Sequence, residues 1–240
     1  MILVVAQSGP VIPHFERASS CIRENKQFCF DWFVDNFNRV FAPRLVEHIE
    51  LTALAVSIGF VIAFTAALVA YTLDWFETPF AILAAFLYTI PSLAFFQLMV
   101  PITGLTRTSA EIALVSYTIL ILFRNTLTGL REVPEDARMA ARAMGLTKGQ
   151  VLRRVELPLA LPAIMAGIRI ATVTTISLAT VAAFIGVGGL GQPIFNAIQS
   201  GFKTQFVAAG ILAVALALVA DALLVMIQRV LAPWMRAQRA

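Results

Sequence analysis

Charge is scarce in this chain. Only 13% of its 240 residues are Asp, Glu, Lys or Arg, against 59% apolar. Mean hydropathy is +0.83. A soluble domain keeps far more charge on its surface, so these values argue for a membrane protein. Histidine and cysteine are nearly absent. The two histidines, His14 and His48, make no metal-ligand cluster. Cys21 and Cys29 both precede the first long apolar run. They can bridge on an oxidising face, and free thiols are the plainer reading. No Gly-x4-Gly-Lys-Ser/Thr loop occurs, so ATP would be bound by another chain. The apolar run Met1 to Ala6 is too short for a signal peptide and lacks a basic flank; export is expected to rely on the first true span. No convergent His, Asp, Glu, Ser or Cys groups suggest a membrane enzyme or a receptor.

What is present is apolar helix. The length suits five or six spans of roughly 20 residues. Five are legible: Leu51 to Leu73, Pro79 to Val100, Ser109 to Phe123, Ala163 to Ile185 and Phe206 to Ile227. The second contains Pro91, which deletes a backbone donor and predicts a kink. The third is the weakest and carries Glu111. Before them, Phe30, Phe33, Phe37 and Phe41 recur at helical spacing beside Asp31 and Asp35. That pattern fits an amphipathic helix in the membrane interface, and equally an ordinary helix leading into the first span.

The long polar interruption, 124–162, holds Arg124, Arg131, Arg138, Arg142, Lys148, Arg153 and Arg154. The positive-inside rule makes it cytoplasmic, and Arg229, Arg236 and Arg239 place the C-terminus on the same side. The N-terminus then lies outside, although Arg17, Arg23, Lys26, Arg39 and Arg44 run against the rule there. The small net charge of +4 reads as orientation charge and a partner surface, not as a nucleic-acid footprint. The expected division is an N-terminal segment 1–44, a transmembrane domain 45–229 and a cytoplasmic tail 230–240.

Inside the loop, Pro134 suits a first helical position, with Glu135 and Asp136 favouring the positive end of the helix dipole. Gly145 suits the position just past the end. Thr147 and Gln150 have capping-box spacing for a second helix, Lys148 to Glu156, which Pro158 and Pro162 should stop. Ala137, Ala140, Ala141 and Met144 fall on one helical face of small apolar residues. Such a face suits a protein cleft; a helix lying on the bilayer is the alternative.

These residues carry a resemblance. Met139-Ala140-Ala141, Gly145, Val155 and Leu157-Pro158 resemble the cytoplasmic signature of ABC-importer permeases, Glu-Ala-Ala-x3-Gly-x9-Ile-x-Leu-Pro, with the spacing intact. TIPSLAFF (89–96), LFRNTLTGL (122–130), VELPLALPAIMAGIR (155–169) and GVGGLG (186–191) look like the permeases of osmoprotectant importers, with methionine importers sharing a run like the last. The resemblance implies an all-α, five-span type I (MetI-like) permease core, working as a pair of identical or paralogous permeases. It implies that the 135–145 helix docks into a cytoplasmic ABC ATPase dimer, which binds the ATP and Mg. The cargo would be glycine betaine, choline, carnitine or a similar solute, with methionine or another amino acid as the alternative. The short tail past residue 229 leaves no room for a binding domain, so a separate extracytoplasmic substrate-binding protein is expected. No cofactor and no metal are expected in this chain. The signature glutamate is Met139 here, and Glu135, one turn upstream, is a candidate replacement for its ATPase contact.

Within the membrane, Thr172, Thr174, Thr175, Ser177 and Thr180 form a broad polar arc. It could line a translocation path, or each hydroxyl could bond its own helix. Tyr88, Phe95, Phe96, Tyr117 and Phe184 read as packing. Asp221 is costly in lipid and so a candidate path residue; a bond to Arg124 or Arg169 is the plainer reading. Gly186, Gly188, Gly189 and Gly191 permit a tight turn, and two readings stand, a simple re-entrant turn and an outer gate.

Overall fold

A computed structural model describes residues 20–234. Met1 to Ala6, His14, Arg17, Arg236 and Arg239 lie outside the described residues. In chain order the helices are α1 (Ser20–Arg23), α2 (Phe30–Asn36), α3 (Ala42–Thr72), α4 (Asp74–Thr89), α5 (Ser92–Thr103), α6 (Arg107–Arg131), α7 (Glu135–Ala143), α8 (Lys148–Val151), α9 (Leu157–Val181), α10 (Gly191–Ser200) and α11 (Lys203–Leu231). No strand occurs among the described residues.

The weakest apolar run becomes the centre of the bundle. α6 packs between α3 and α9 and buries residues along its whole length. Lipid tails are as apolar as leucine, so close packing of small residues must hold such helices together. Ala63, Ala66, Ala67 and Ala70 of α3 accordingly face Leu122, Phe123 and Leu127 of α6. A Cβ on Gly59 would lie 1.8 Å from the Thr118 hydroxyl oxygen, so only glycine fits there.

Ion pairs mark the two ends. Arg107, at the head of α6, meets Glu50 near the head of α3 at 3.0 Å. Arg131, at the foot of α6, grips Glu77 at the start of α4 with two nitrogens. Among the described residues, α3, α6, α9 and α11 lie in helical stretches long and apolar enough to cross a membrane, and α4 with α5 makes a fifth crossing if the bent pair counts as one span.

That one passage corrects the expectation of a kinked second span. α4 and α5 bend by 98°. Pro91 cannot donate, and it forces Ile90 out of helical geometry to φ −65°, ψ 127°. The freed Ile90 carbonyl accepts from the Tyr117 hydroxyl of α6. A partner on another helix thus turns a kink into a break.

Three other prolines have the opposite effect. The second loop helix was expected to stop before Pro158, yet α8 runs through a π-helical turn, Leu152–Glu156, into α9 without interruption. A second π turn, Phe37–Phe41, joins α2 to α3 just before Pro43. Each wider turn comes where proline would otherwise clash with the carbonyl one turn back. Pro162 sits inside α9 without ending it.

The N-terminal aromatics form a helix that leads into α3. Phe33, Phe37 and Phe41 pack together and onto Ala208 and Ala209 of α11, while Phe30 stays exposed. The alternative of free thiols is overturned: Cys21 and Cys29 form a disulfide. Within its loop, Asn25 donates to the Gly201 carbonyl at 2.8 Å and accepts from the Lys203 amide at 3.0 Å. The Cys29 amide donates to Thr204 at 3.1 Å. The loop thereby clasps the α10–α11 turn. Replacing both cysteines by serine should lower stability by about 2–3 kcal/mol, the loop-closure value for so short a ring. A thermal scan of the purified chain with and without reductant checks this; identical midpoints would contradict it.

Candidate functional site

The 124–162 loop expected from the sequence is shorter in the structure: residues 124–131 are the foot of α6 and 157–162 the head of α9, and only 132–156 fold into a short strut beneath the bundle. Pro134 is the N-cap residue of α7, one place earlier than its sequence position suggested, with Glu135 and Asp136 in the first turn. Gly145 ends the helix at φ 83°. Its amide donates to Arg142 and the Leu146 amide to Ala141, the paired bonds of a Schellman stop. The Gln150 side chain accepts from the Thr147 amide at 2.9 Å and starts α8.

The predicted small face is split. Ala141 is buried and Ala137 half-buried against the body, whereas Ala140 and Met144 are exposed. α7 uses one edge to sit on its own bundle, so only the other edge is free. That free edge carries Met139 (53% exposed), Ala140, Ala143 and Met144 (73%). Val155 in the π turn, and Leu157 and Pro158 at the head of α9, are half-buried.

Arg138 is the residue that sequence reasoning missed. Its Nε donates to Glu156 at 3.0 Å, one terminal nitrogen to Glu135 at 3.0 Å and the other to the Leu130 carbonyl at 2.7 Å. The Tyr71 hydroxyl donates to the same Glu156 oxygen at 2.8 Å. One guanidinium thus ties α7 to the foot of α6, the π turn and the end of α3. Burial opposes its charge, but the Glu135 and Glu156 bonds outweigh this and raise its proton affinity. Glu135 is held by this pair and lies 3.8 Å from Arg142, with about half its side chain exposed. The sequence signal was faint: arginine and its buried acid stand in different helices.

At the opposite end, the glycine run forms a tight turn. Gly186 and Gly189 have positive φ, 79° and 42°. A Cβ on Gly191 would lie 2.1 Å from the Thr180 carbonyl oxygen, and one on Gly189 2.7 Å from His48 Nδ1. The nearest atoms to a Cβ on Gly188 belong to the Gln192 side chain. His48 of α3 is fully buried beneath the turn. Its Nδ1 accepts from the Leu190 amide at 3.2 Å, and its Nε2 lies 3.0 Å from the Ile176 carbonyl of α9. These partners require a neutral ring protonated at Nε2. A lone histidine in the sequence gave no hint of this clamp.

The hydroxyl arc is dispersed. Thr172 and Thr180 donate to carbonyls of their own helix, at Ile168 and Ser177, both at 2.7 Å. Thr175 is buried and Ser177 exposed. Asp221 takes the Arg169 partner, at 2.7 and 2.9 Å. Tyr88 and Phe95 each pack edge to face against Tyr117, and Phe184 against Phe195.

Known proteins agree with this architecture. The family model described as the binding-protein-dependent transport system inner membrane component matches residues 55–237. The chain is 38% identical over 197 residues to the osmoprotectant import permease protein OsmW of Salmonella typhimurium, covering 80% of this chain and 92% of that one. It is 36% identical over 191 residues to the choline transport system permease protein OpuBB of Bacillus subtilis, covering 79% and 88%. An inward-facing structure of the MetNI methionine ABC transporter shares the fold, with a TM-score of 0.70 and 23% identity over 80% of this chain and 96% of that one. The chain therefore belongs to the inner-membrane components of binding-protein-dependent transport systems, the permeases of ABC importers.

Proposed function

We propose that this chain is the membrane subunit of an ATP-driven importer for a quaternary-ammonium compatible solute such as glycine betaine, carnitine or choline. The observation that carries this is the match to an osmoprotectant permease over 92% of that protein's length. The subunit does no chemistry itself. A partner ATPase dimer binds ATP and Mg and receives the free edge of α7, with Met139 and Met144 as apolar knobs. A second permease, identical or paralogous, completes the path, and a separate binding protein delivers solute to the outer end. The 45–229 domain is the transport unit, and the 124–162 loop faces the cytoplasm. The Cys21–Cys29 disulfide lies at the end away from α7, which fits an oxidising outer compartment there. We assign the glycine turn 186–191 to the outer mouth and Glu135 to an ATPase contact.

The reading is tested by uptake of labelled betaine into cells lacking their own importers, with the ATPase and binding protein co-expressed. Saturable, ATP-dependent accumulation is expected; accumulation of methionine instead would replace the cargo. Coupling is tested by Gly145→Val. Space beside Gly145 is open, so the penalty is backbone strain alone, about 1–2 kcal/mol at positive φ. We expect uptake to fall at least about fivefold at that strain, with the chain still in the membrane. Undiminished uptake would remove the role of this turn in docking.

A further inference from the structure

Arg169 is the central residue of α9, about 18 Å from either end at the helical rise. It meets Asp221 of α11 through Nε and one terminal nitrogen, at 2.7 and 2.9 Å. Each side chain keeps about a third of its surface open, 33% and 35%. Both open onto a cavity of about 500 Å³, walled by Ala166, Ile170, Val173 and Leu218, with Thr174 as a further polar group. An open charge pair at mid-height of an apolar bundle is costly against lipid; such groups face protein or a watery path.

The chemistry of the pair selects a class of solute. A guanidinium binds carboxylates through parallel N–H donors. Asp221 occupies Nε and one terminal nitrogen, leaving the second terminal nitrogen for an incoming carboxylate. A quaternary ammonium has no hydrogen to donate, so a carboxylate attracts it by charge alone, and apolar walls suit its methyl groups. A zwitterion carrying both groups matches the pair and leaves the site neutral.

We propose that Arg169 and Asp221 form a transient solute site within the membrane, Arg169 taking the carboxylate of a betaine and Asp221 its quaternary ammonium. The site rests on the transport reading above. A bare cation such as choline gains only Asp221 and is repelled by Arg169. The site therefore favours betaines over choline, and each charge controls one side of that preference.

The test uses the complete importer, permease with its ATPase and binding protein, in vesicles supplied with ATP. Labelled glycine betaine and choline uptake are measured on the same preparation. Asp221→Asn leaves a net positive site and should raise the betaine-to-choline ratio at least about fivefold; Arg169→Gln leaves a net negative site and should lower it by a similar factor. If the wild type carries one solute alone, betaine uptake should suffer more from Arg169→Gln, and choline uptake more from Asp221→Asn. Poorer folding scales both solutes together and leaves the ratio alone. Thr174→Ile narrows the cavity without touching the pair and should raise KM for each solute carried several-fold, with the amount of assembled complex unchanged. Equal losses in both charge variants would show that the pair only staples α9 to α11 and would overturn the site. An unchanged KM in Thr174→Ile would do the same. A wild type that moves neither solute fails earlier, at the transport reading, and takes the site with it.

Discussion

Arg138→Leu is expected to separate ATP hydrolysis from uptake. In the native chain Glu156 is 5% exposed and shares one oxygen between Arg138 and Tyr71. Leucine removes the only cation bonded to it among the described residues. Stranding a buried charge by deleting one partner costs roughly 3–5 kcal/mol. The chain escapes by letting water reach Glu156 or by protonating it. Either way α7 loses its tie to the π turn that heads α9. It also loses the bond that satisfies the Leu130 carbonyl at the foot of α6. A push on α7 would then bend the loop instead of moving the helices. In vesicles containing the complete importer, uptake per ATP hydrolysed should fall at least about tenfold, the equivalent of 1.4 kcal/mol of lost coupling. Arg138→Leu combined with Glu156→Leu removes both charges and should recover thermal stability, because an apolar pair replaces the ions. It should not recover coupling. Wild-type coupling in Arg138→Leu would show that α7 transmits motion without this pin.

His48→Phe should loosen the outer turn. The phenyl ring fills most of the space but bonds neither the Leu190 amide nor the Ile176 carbonyl. A buried group left unpaired costs about 1–3 kcal/mol, and the Leu190 amide is exposed to that loss here, while the Ile176 carbonyl stays within α9. The turn cannot tighten by other means, since Gly189 and Gly191 already touch His48 and Thr180 as closely as a bare backbone allows. Loss of the clamp should show as leak: solute preloaded into vesicles escapes without ATP at several times the wild-type rate. His48→Asn, whose amide oxygen lies near the Nδ1 position, should recover part of the Leu190 bond and reduce the leak. Gly189→Ala should leak as well, because its Cβ would fall 2.9 Å from the His48 Cα, an atom no rotamer can move. Tight vesicles in both His48→Phe and Gly189→Ala would take the gate assignment away from this turn.

Local signals were legible and long-range ones were not. The start at Pro134, the stop at Gly145 and the box at Thr147 and Gln150 depend on residues within a turn or two, and each was read close to its place. Pro91 was readable as a disturbance, but its size depended on Tyr117, a residue on another helix. The prolines at 158 and 162 were read as stops because propensity treats proline alone. A π turn absorbed the first, and the tertiary bundle held the second in register. The small face of α7 was read whole, yet half of it is spent on its own bundle.

The sequence by itself determined the class of this protein. With so little charge, backbone polar groups must be satisfied within helices, and the chain must lie in a membrane. It also determined the capped helices of the loop that we propose joins the permease to its ATPase, through spaced small residues and helix punctuation. Only the tertiary structure decided which polar groups meet: Arg138 with Glu156 and Tyr71, His48 with Leu190 and Ile176, Arg169 with Asp221. In a medium that offers no water, a lone polar side chain is a cost wherever it stands. Its meaning comes from the partner that the fold brings to it, and that partner sits on a different element of the chain.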